Sequence, residues 1–131
     1  MRLYLDADIF LALIKNEDRH KRAAQAFFRV NKNDKFITSS LTCLEVWFYL
    51  YKNNFKHSCI DAIRAVKNIA EIIDYNIQDV EAAMILAEHH NLSPADSIHA
   101  ILAMRSEGIV SSDESFDRIK YLKRVNFLKA E

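Results

Sequence analysis

The stretch RLYLDADIFLALI, residues 2–14, decides the fold. Arg2 to Leu5 reads as a short buried strand. Asp6 and Asp8 follow at once. Ile9 to Ile14 is apolar on every side, which predicts a buried helix with Asp8 as its N-cap. A strand that passes within a few residues into a buried helix is the start of an α/β unit.

Working outward, the same alternation continues. Asp18 to about Asn31 reads as a helix with Ala24, Phe27 and Phe28 on its apolar face, and Lys35 to Thr38 as a strand. Leu41 to about Asn53 is helical and carries the run VWFYLY, residues 46–51. Residues 57–70 show a helical stripe at Cys59, Ile63, Val66 and Ala70. Glu71 to Tyr75 is a strand, and Asn76 opens a helix whose stripe is Val80, Ala83, Met84 and Ala87. Ser93 caps the next helix with Pro94 at its first position. Gly108 stands where that helix should end, before the strand Ile109-Val110-Ser111. A short helix at Glu114–Ile119 and a last strand at Val125–Leu128 complete the chain. This order predicts an α/β domain over residues 1–131, a mainly parallel sheet of four or five strands covered on both faces.

Half of the 131 residues are hydrophobic, enough to bury a core without staples. Lys+Arg and Asp+Glu both number 18, so the chain lacks the overall positive charge of a nucleic-acid coat protein. The two cysteines, Cys43 and Cys59, form no CxxC pair and read as reduced thiols of a cytoplasmic protein. No secretory signal and no membrane-spanning stretch is legible. The single glycine leaves no Gly-rich phosphate loop and no dinucleotide fingerprint.

Four carboxylates fall at strand ends or helix starts: Asp6, Glu45, Asp96 and Asp113. In a parallel sheet these places share one edge. Asp96 completes a capping-box pattern with Ser93, and Asp113 would cap the short helix after it. Glu45 fits a solvated helix face. Asp6 has no such explanation, because it sits between a buried strand and an apolar helix, where a carboxylate needs a partner or a cation. A cluster of hard oxygen donors suits Mg²⁺ or Mn²⁺ and the hydrolysis of phosphate esters.

Those residues, in the segments LDADIF, TSSLTCLE, ALAEHHNLSPADSIHAILA and IVSSDESF, resemble the PIN-domain family of metal-dependent ribonucleases, which includes the VapC toxins of toxin–antitoxin pairs. The resemblance spans essentially the whole chain. It implies a three-layer α/β/α sandwich and endonucleolytic cleavage of RNA, with Asp6, Glu45, Asp96 and Asp113 holding one or two Mg²⁺ or Mn²⁺ ions. Ser111 matches a hydroxyl position near the site. Asp8 stands where the family usually has Asn or another polar residue, and Asp117 is an additional acid at the margin. His99 follows Asp96 by three residues on one helix face and is placed to orient it. His20, His57, His89 and His90 show no zinc spacing.

Two basic stretches are candidates for the RNA backbone: Arg19, Lys21 and Arg22, and Arg118, Lys120, Lys123 and Arg124. The aromatic run from Trp47 to Tyr51 wraps more than one side of its helix, more than core packing uses, and points to a homodimer that also receives an antitoxin segment.

Three rivals use the same residues. A HAD-like phosphatase would take Asp6 as nucleophile and Asp8 as general acid, but leaves Glu45 and SPADSIHA unexplained. A receiver domain needs an aspartate after its third strand, whereas Asp74 lies within one. A non-catalytic RNA- or protein-binding module would have no use for four intact acids.

Overall fold

A computed structural model describes residues 1–15, 18–55 and 58–129; His57 lies outside them. Five strands form one sheet: β1 (Arg2–Leu5), β2 (Lys35–Ser39), β3 (Glu71–Ile73), β4 (Ile109–Val110) and β5 (Arg124–Val125). Among the described residues six α-helices lie between them: α1 (Ala7–Ile14), α2 (Asp18–Val30), α3 (Ser40–Lys52), α4 (Cys59–Ile69), α5 (Ile77–His90) and α6 (Pro94–Ala103). The sheet order is β3-β2-β1-β4-β5 and every pairing is parallel.

Alternation along the strands builds the two cores. Leu3, Leu5 and Val110 face one side and pack with residues of α1, α2, α3 and α4, including Ile9, Phe10, Phe27, Val46, Leu50 and Val66. Tyr4, Ile37 and Ile109 face the other side and pack with Leu86 of α5 and Ala100, Leu102 and Ala103 of α6. The sheet is thus the middle layer of three. Strands run outward in both directions from the β1–β4 pair, so the chain reverses its order there. In open α/β sheets that reversal opens a crevice at the carboxyl ends of the strands.

Several details depart from the sequence expectations. Helix α1 begins at Ala7 with Asp6 as its N-cap, so Asp8 lies in the first turn. Helix α5 buries Ala83 and Leu86, while Met84 points outward, because the helix rests on α6 along a narrower stripe than four apolar positions suggested. Its start is as expected, with Asn76 and Asp79 closing a reciprocal capping box. The last strand is Arg124–Val125, and Phe127–Lys129 turns into a short 3₁₀ helix that buries Phe127. Among the described residues, no helix is long and apolar enough to cross a membrane.

Gly108 does not cap α6, which ends at Ala103, and its φ is not positive. Its role is close approach. A Cβ there would lie 2.8 Å from the Lys123 carbonyl oxygen, the acceptor for Ile109 N–H at the β4–β5 pairing. Gly108→Ala should therefore part the two strands and destabilise the fold by about 1–3 kcal/mol, the usual cost of overpacking. A thermal unfolding midpoint equal to that of the unaltered protein would show that β5 moves aside freely.

Candidate functional site

Asp6 is the hinge between β1 and α1. Its backbone N–H bonds the Val110 carbonyl at 3.1 Å, which continues the sheet, while its Oδ1 accepts from Ala7 N–H at 2.7 Å and starts the helix. The positive end of the α1 dipole favours the charge. Oδ2 accepts from the Ser111 hydroxyl at 2.7 Å, so β4 holds the other oxygen. The side chain is buried, and burial, then the neighbouring charge of Asp8, push its pKa up to about 7.

Asp8 crosses the same gap. Its Oδ2 accepts from Ser112 N–H at 2.7 Å and from the Ser112 hydroxyl at 2.6 Å, with the Ser111 hydroxyl at 3.3 Å. Its Oδ1 is buried with no hydrogen-bond partner among the described residues. Burial raises its pKa as well. The loop after β4 is thereby clamped to α1. Asp113 continues this loop: its N–H bonds Ser111 Oγ at 3.0 Å, and its Oδ1 accepts from Ser115 N–H at 2.9 Å to cap the 3₁₀ helix Glu114–Arg118.

Asp96 enters from α6. Ser93 Oγ accepts from its N–H at 3.2 Å, and Pro94 stands at the helix start, as the sequence implied. Its pKa is raised by burial first and then by the charge of Asp113, with Glu45 adding to the effect. Glu45 enters from α3. His99, fully buried, hydrogen-bonds Glu45 Oε1 through Nε2, with Asp6 Oδ1 at 3.6 Å. One ligand atom from each of Asp6, Glu45 and His99 lies within 4.8 Å of the others. His99 therefore faces Glu45 and Asp6 rather than Asp96, as α6 turns it toward the sheet. Three residues not singled out in the sequence take part in the site: Tyr4 bonds His99, Ser39 bonds Tyr4, and Ser112 bonds Asp8. Tyr4 was hidden as one more apolar letter of a strand, and its polar tip was the missed signal.

The remaining candidates make other contacts. Asp117 is held by Arg124 in a two-pronged ion pair, both contacts 2.9 Å, which keeps its carboxyl below the usual range. Arg124 also donates to the Ser111 carbonyl at 3.2 Å, so it braces the β4 loop instead of presenting a free charge. Arg118 donates to the Asn91 carbonyl at 2.6 Å. Lys120 and Lys123 are exposed, as are Arg19 and Arg22 on α2, where Lys21 is half-buried. On α3, Val46 and Leu50 are buried, whereas Leu44, Trp47, Phe48 and Tyr51 are more than half exposed. A groove of about 630 Å³ runs between α3 and α4, lined by Cys43, Leu44, Trp47, Cys59, Ile60 and Ile63 among others. This larger cavity is not at the carboxylates. Glu45 instead lines a second one of about 480 Å³, with Leu11, Phe48 and Tyr49.

The donor set fits a divalent cation. The acids are hard oxygen ligands, three of them (Asp6, Asp8 and Asp96) carry raised pKa values, and Asp8 leaves a buried oxygen without a partner among the described residues. Without a cation the crowding has a cost that pH should expose. The folded pKa of Asp6 lies above its unfolded value of 3.8, so the native state binds the proton more tightly. That stabilisation is fully present below the unfolded value and is lost as pH rises through about 7. In EDTA, Asp6→Asn should be more stable than the unaltered protein at pH 8, by a few kcal/mol at most, with the gap closing toward pH 4. Equal unfolding midpoints at pH 8 would contradict the buried-charge cost.

The fold and sequence have known counterparts. The PIN domain family matches residues 3–122. No curated protein matches the sequence. Among solved structures the chain resembles VapBC2 from Rickettsia felis, bound to a DNA fragment from its promoter, with 20% identity and a TM-score of 0.75 over 96% of this chain and 98% of that one. It also resembles VapC20 of Mycobacterium tuberculosis, a toxin that cleaves the sarcin-ricin loop, with 15% identity and a TM-score of 0.76 over 89% and 93%. VapBC-1 from nontypeable Haemophilus influenzae matches with 22% identity and a TM-score of 0.72 over 97% and 98%. These likenesses are in fold, and the family match covers nearly the whole sequence: the chain belongs to the PIN domain family.

Proposed function

We propose that the protein is a metal-dependent endoribonuclease and the toxin of a toxin–antitoxin pair. The observation that carries the reading is the burial of Asp6 among other acids at the β1–β4 crevice, on a PIN domain. Asp6, Glu45, Asp96 and Asp113 would hold Mg²⁺ or Mn²⁺. When bound, the ion supplies Lewis acidity, drawing charge from a phosphate oxygen and making water more acidic. The chain's own residues do the rest. Ser111 and the Ala7 N–H fix both oxygens of Asp6, and Ser112 fixes Asp8, so the acids need not reorganise when substrate arrives. Hydrolysis adds the water's hydroxide to phosphorus as the opposite P–O bond breaks, and the leaving ribose oxygen takes the proton. Neither the phosphatase nor the non-catalytic alternative is favoured by any feature of the site; Asp8, the acid of the phosphatase scheme, is tied to Ser112.

An RNA backbone needs cations along its path, and the exposed Arg118, Lys120 and Lys123 are the proposed ones. The apolar groove between α3 and α4 is proposed to receive an antitoxin segment. Support comes from its exposed apolar lining, Leu44, Trp47 and Ile60, and from the likeness in fold to a structure solved as a toxin–antitoxin complex from Klebsiella pneumoniae.

Incubation with a mixed RNA pool should give cleavage with Mg²⁺ or Mn²⁺, none with EDTA, and none for Asp96→Asn. Cleavage that persists in EDTA, or in Asp96→Asn, would sink the metal mechanism. Neutralising Arg118, Lys120 and Lys123 together should weaken RNA binding and flatten its dependence on salt; an unchanged slope removes these residues from the interface. Trp47→Glu should abolish capture of the protein encoded beside this gene while leaving the sedimentation of the chain alone unchanged. If Trp47→Glu instead splits a dimer, the groove is a self-interface and the antitoxin assignment fails.

A further inference from the structure

His99 has no solvent exposure and sits on α6 one turn beyond Asp96. Both ring nitrogens are engaged. Nδ1 lies 2.7 Å from the Tyr4 hydroxyl, and Nε2 is hydrogen-bonded to Glu45 Oε1. The Tyr4 hydroxyl in turn lies 2.7 Å from Ser39 Oγ. Four side chains therefore form one line, Ser39–Tyr4–His99–Glu45, running from the end of β2 across β1 to α6 and out to α3.

The polarity of the last link is fixed. An ionised carboxylate only accepts, so the proton between ring and Glu45 belongs to Nε2. This holds whether Nδ1 accepts from Tyr4 or donates to it. A protonated Nε2 has no lone pair for a cation. Glu45 needs such a clamp. It reaches the cluster on a long side chain from a helix face open to solvent, and the negative charges of Asp6 and Asp96 repel it.

We propose that His99 is a positioning residue and not a metal ligand: its Nε2–H holds Glu45 beside Asp6, and Tyr4 fixes the ring that does so. The inference rests on the metal-dependent reading of the site. Partners of this kind around a metal are worth tenfold to a hundredfold in affinity.

Three measurements test it. In the metal-free, unaltered protein, nitrogen-15 NMR should find His99 Nε2 protonated; a bare Nε2 would overturn the proposal. With Mn²⁺ bound, pulsed EPR should detect no directly coordinated nitrogen; a strong nitrogen coupling would make His99 a ligand and overturn it too. Calorimetry should show His99→Leu binding Mn²⁺ about tenfold to a hundredfold more weakly, with partial recovery in His99→Gln, whose amide N–H can replace Nε2–H. Equal affinities in all three proteins would contradict the clamp. The NMR and EPR arms need no variant, so a misfolded His99→Leu leaves them intact. Failure of the unaltered protein to bind Mn²⁺ would count against the nuclease reading, while the NMR arm still decides the state of His99.

Discussion

The Asp6 carboxylate is gripped from both sides, by the first N–H of α1 and by the Ser111 hydroxyl of β4. Much of the structure follows from this grip. It fixes where β1 ends and where α1 starts, and it ties two neighbouring strands at the point where the sheet reverses its order. It also holds a negative charge in a place where water is scarce. A charge so placed is tolerated when something compensates it, and here the helix dipole and a hydroxyl do so only in part. The upward pKa is the measure of what remains uncompensated.

The other acids make this imbalance larger, which supports the proposed cation site over a set of caps. Capping does occur: Asp6 caps α1, and Asp113 caps the 3₁₀ helix. Yet a cap takes only one oxygen: Asp6 caps with Oδ1 and gives Oδ2 to the Ser111 hydroxyl, and Asp113 caps with Oδ1. Asp8 shows the same division, with all its bonds on Oδ2 and a bare Oδ1. Structural and chemical roles thus share side chains instead of competing for them. The serines of the β4 loop serve both, since Ser111 supports Asp6 through its hydroxyl and Asp113 through the same oxygen as acceptor.

How much of this was legible in the sequence depended on range. Local signals read well: the strand RLYL, the Ser93-Pro94 start of α6, and the Asn76 cap are each decided within four residues. The position of the four acids at one edge followed from strand–helix alternation alone. What could not be read was long-range. Gly108 looked like a helix stop, but Lys123, fifteen residues later, is what forbids a side chain there. Arg124 looked like a free cation, but Asp117 claims it. His99 was picked out for its spacing from Asp96, yet its partners Tyr4 and Glu45 are 95 and 54 residues away in the chain. Helix spacing tells which residues share a face; it does not tell what that face meets. The exposed side of α3 is a different case. The excess of aromatic residues over what one core can bury was visible in the composition of the helix itself, and the structure leaves Trp47, Phe48 and Tyr51 outside.

The central claim is that the buried charge around Asp6 exists to hold a divalent cation. Titration of Mn²⁺ into the metal-free protein at pH 6, followed calorimetrically in two buffers of different ionisation enthalpy, addresses it directly. The expected result is saturable binding accompanied by proton release, because cation and proton compete for the same raised carboxylates, with binding lost in Asp6→Asn. Absence of Mn²⁺ binding in the unaltered protein, or equal binding in Asp6→Asn, would contradict it.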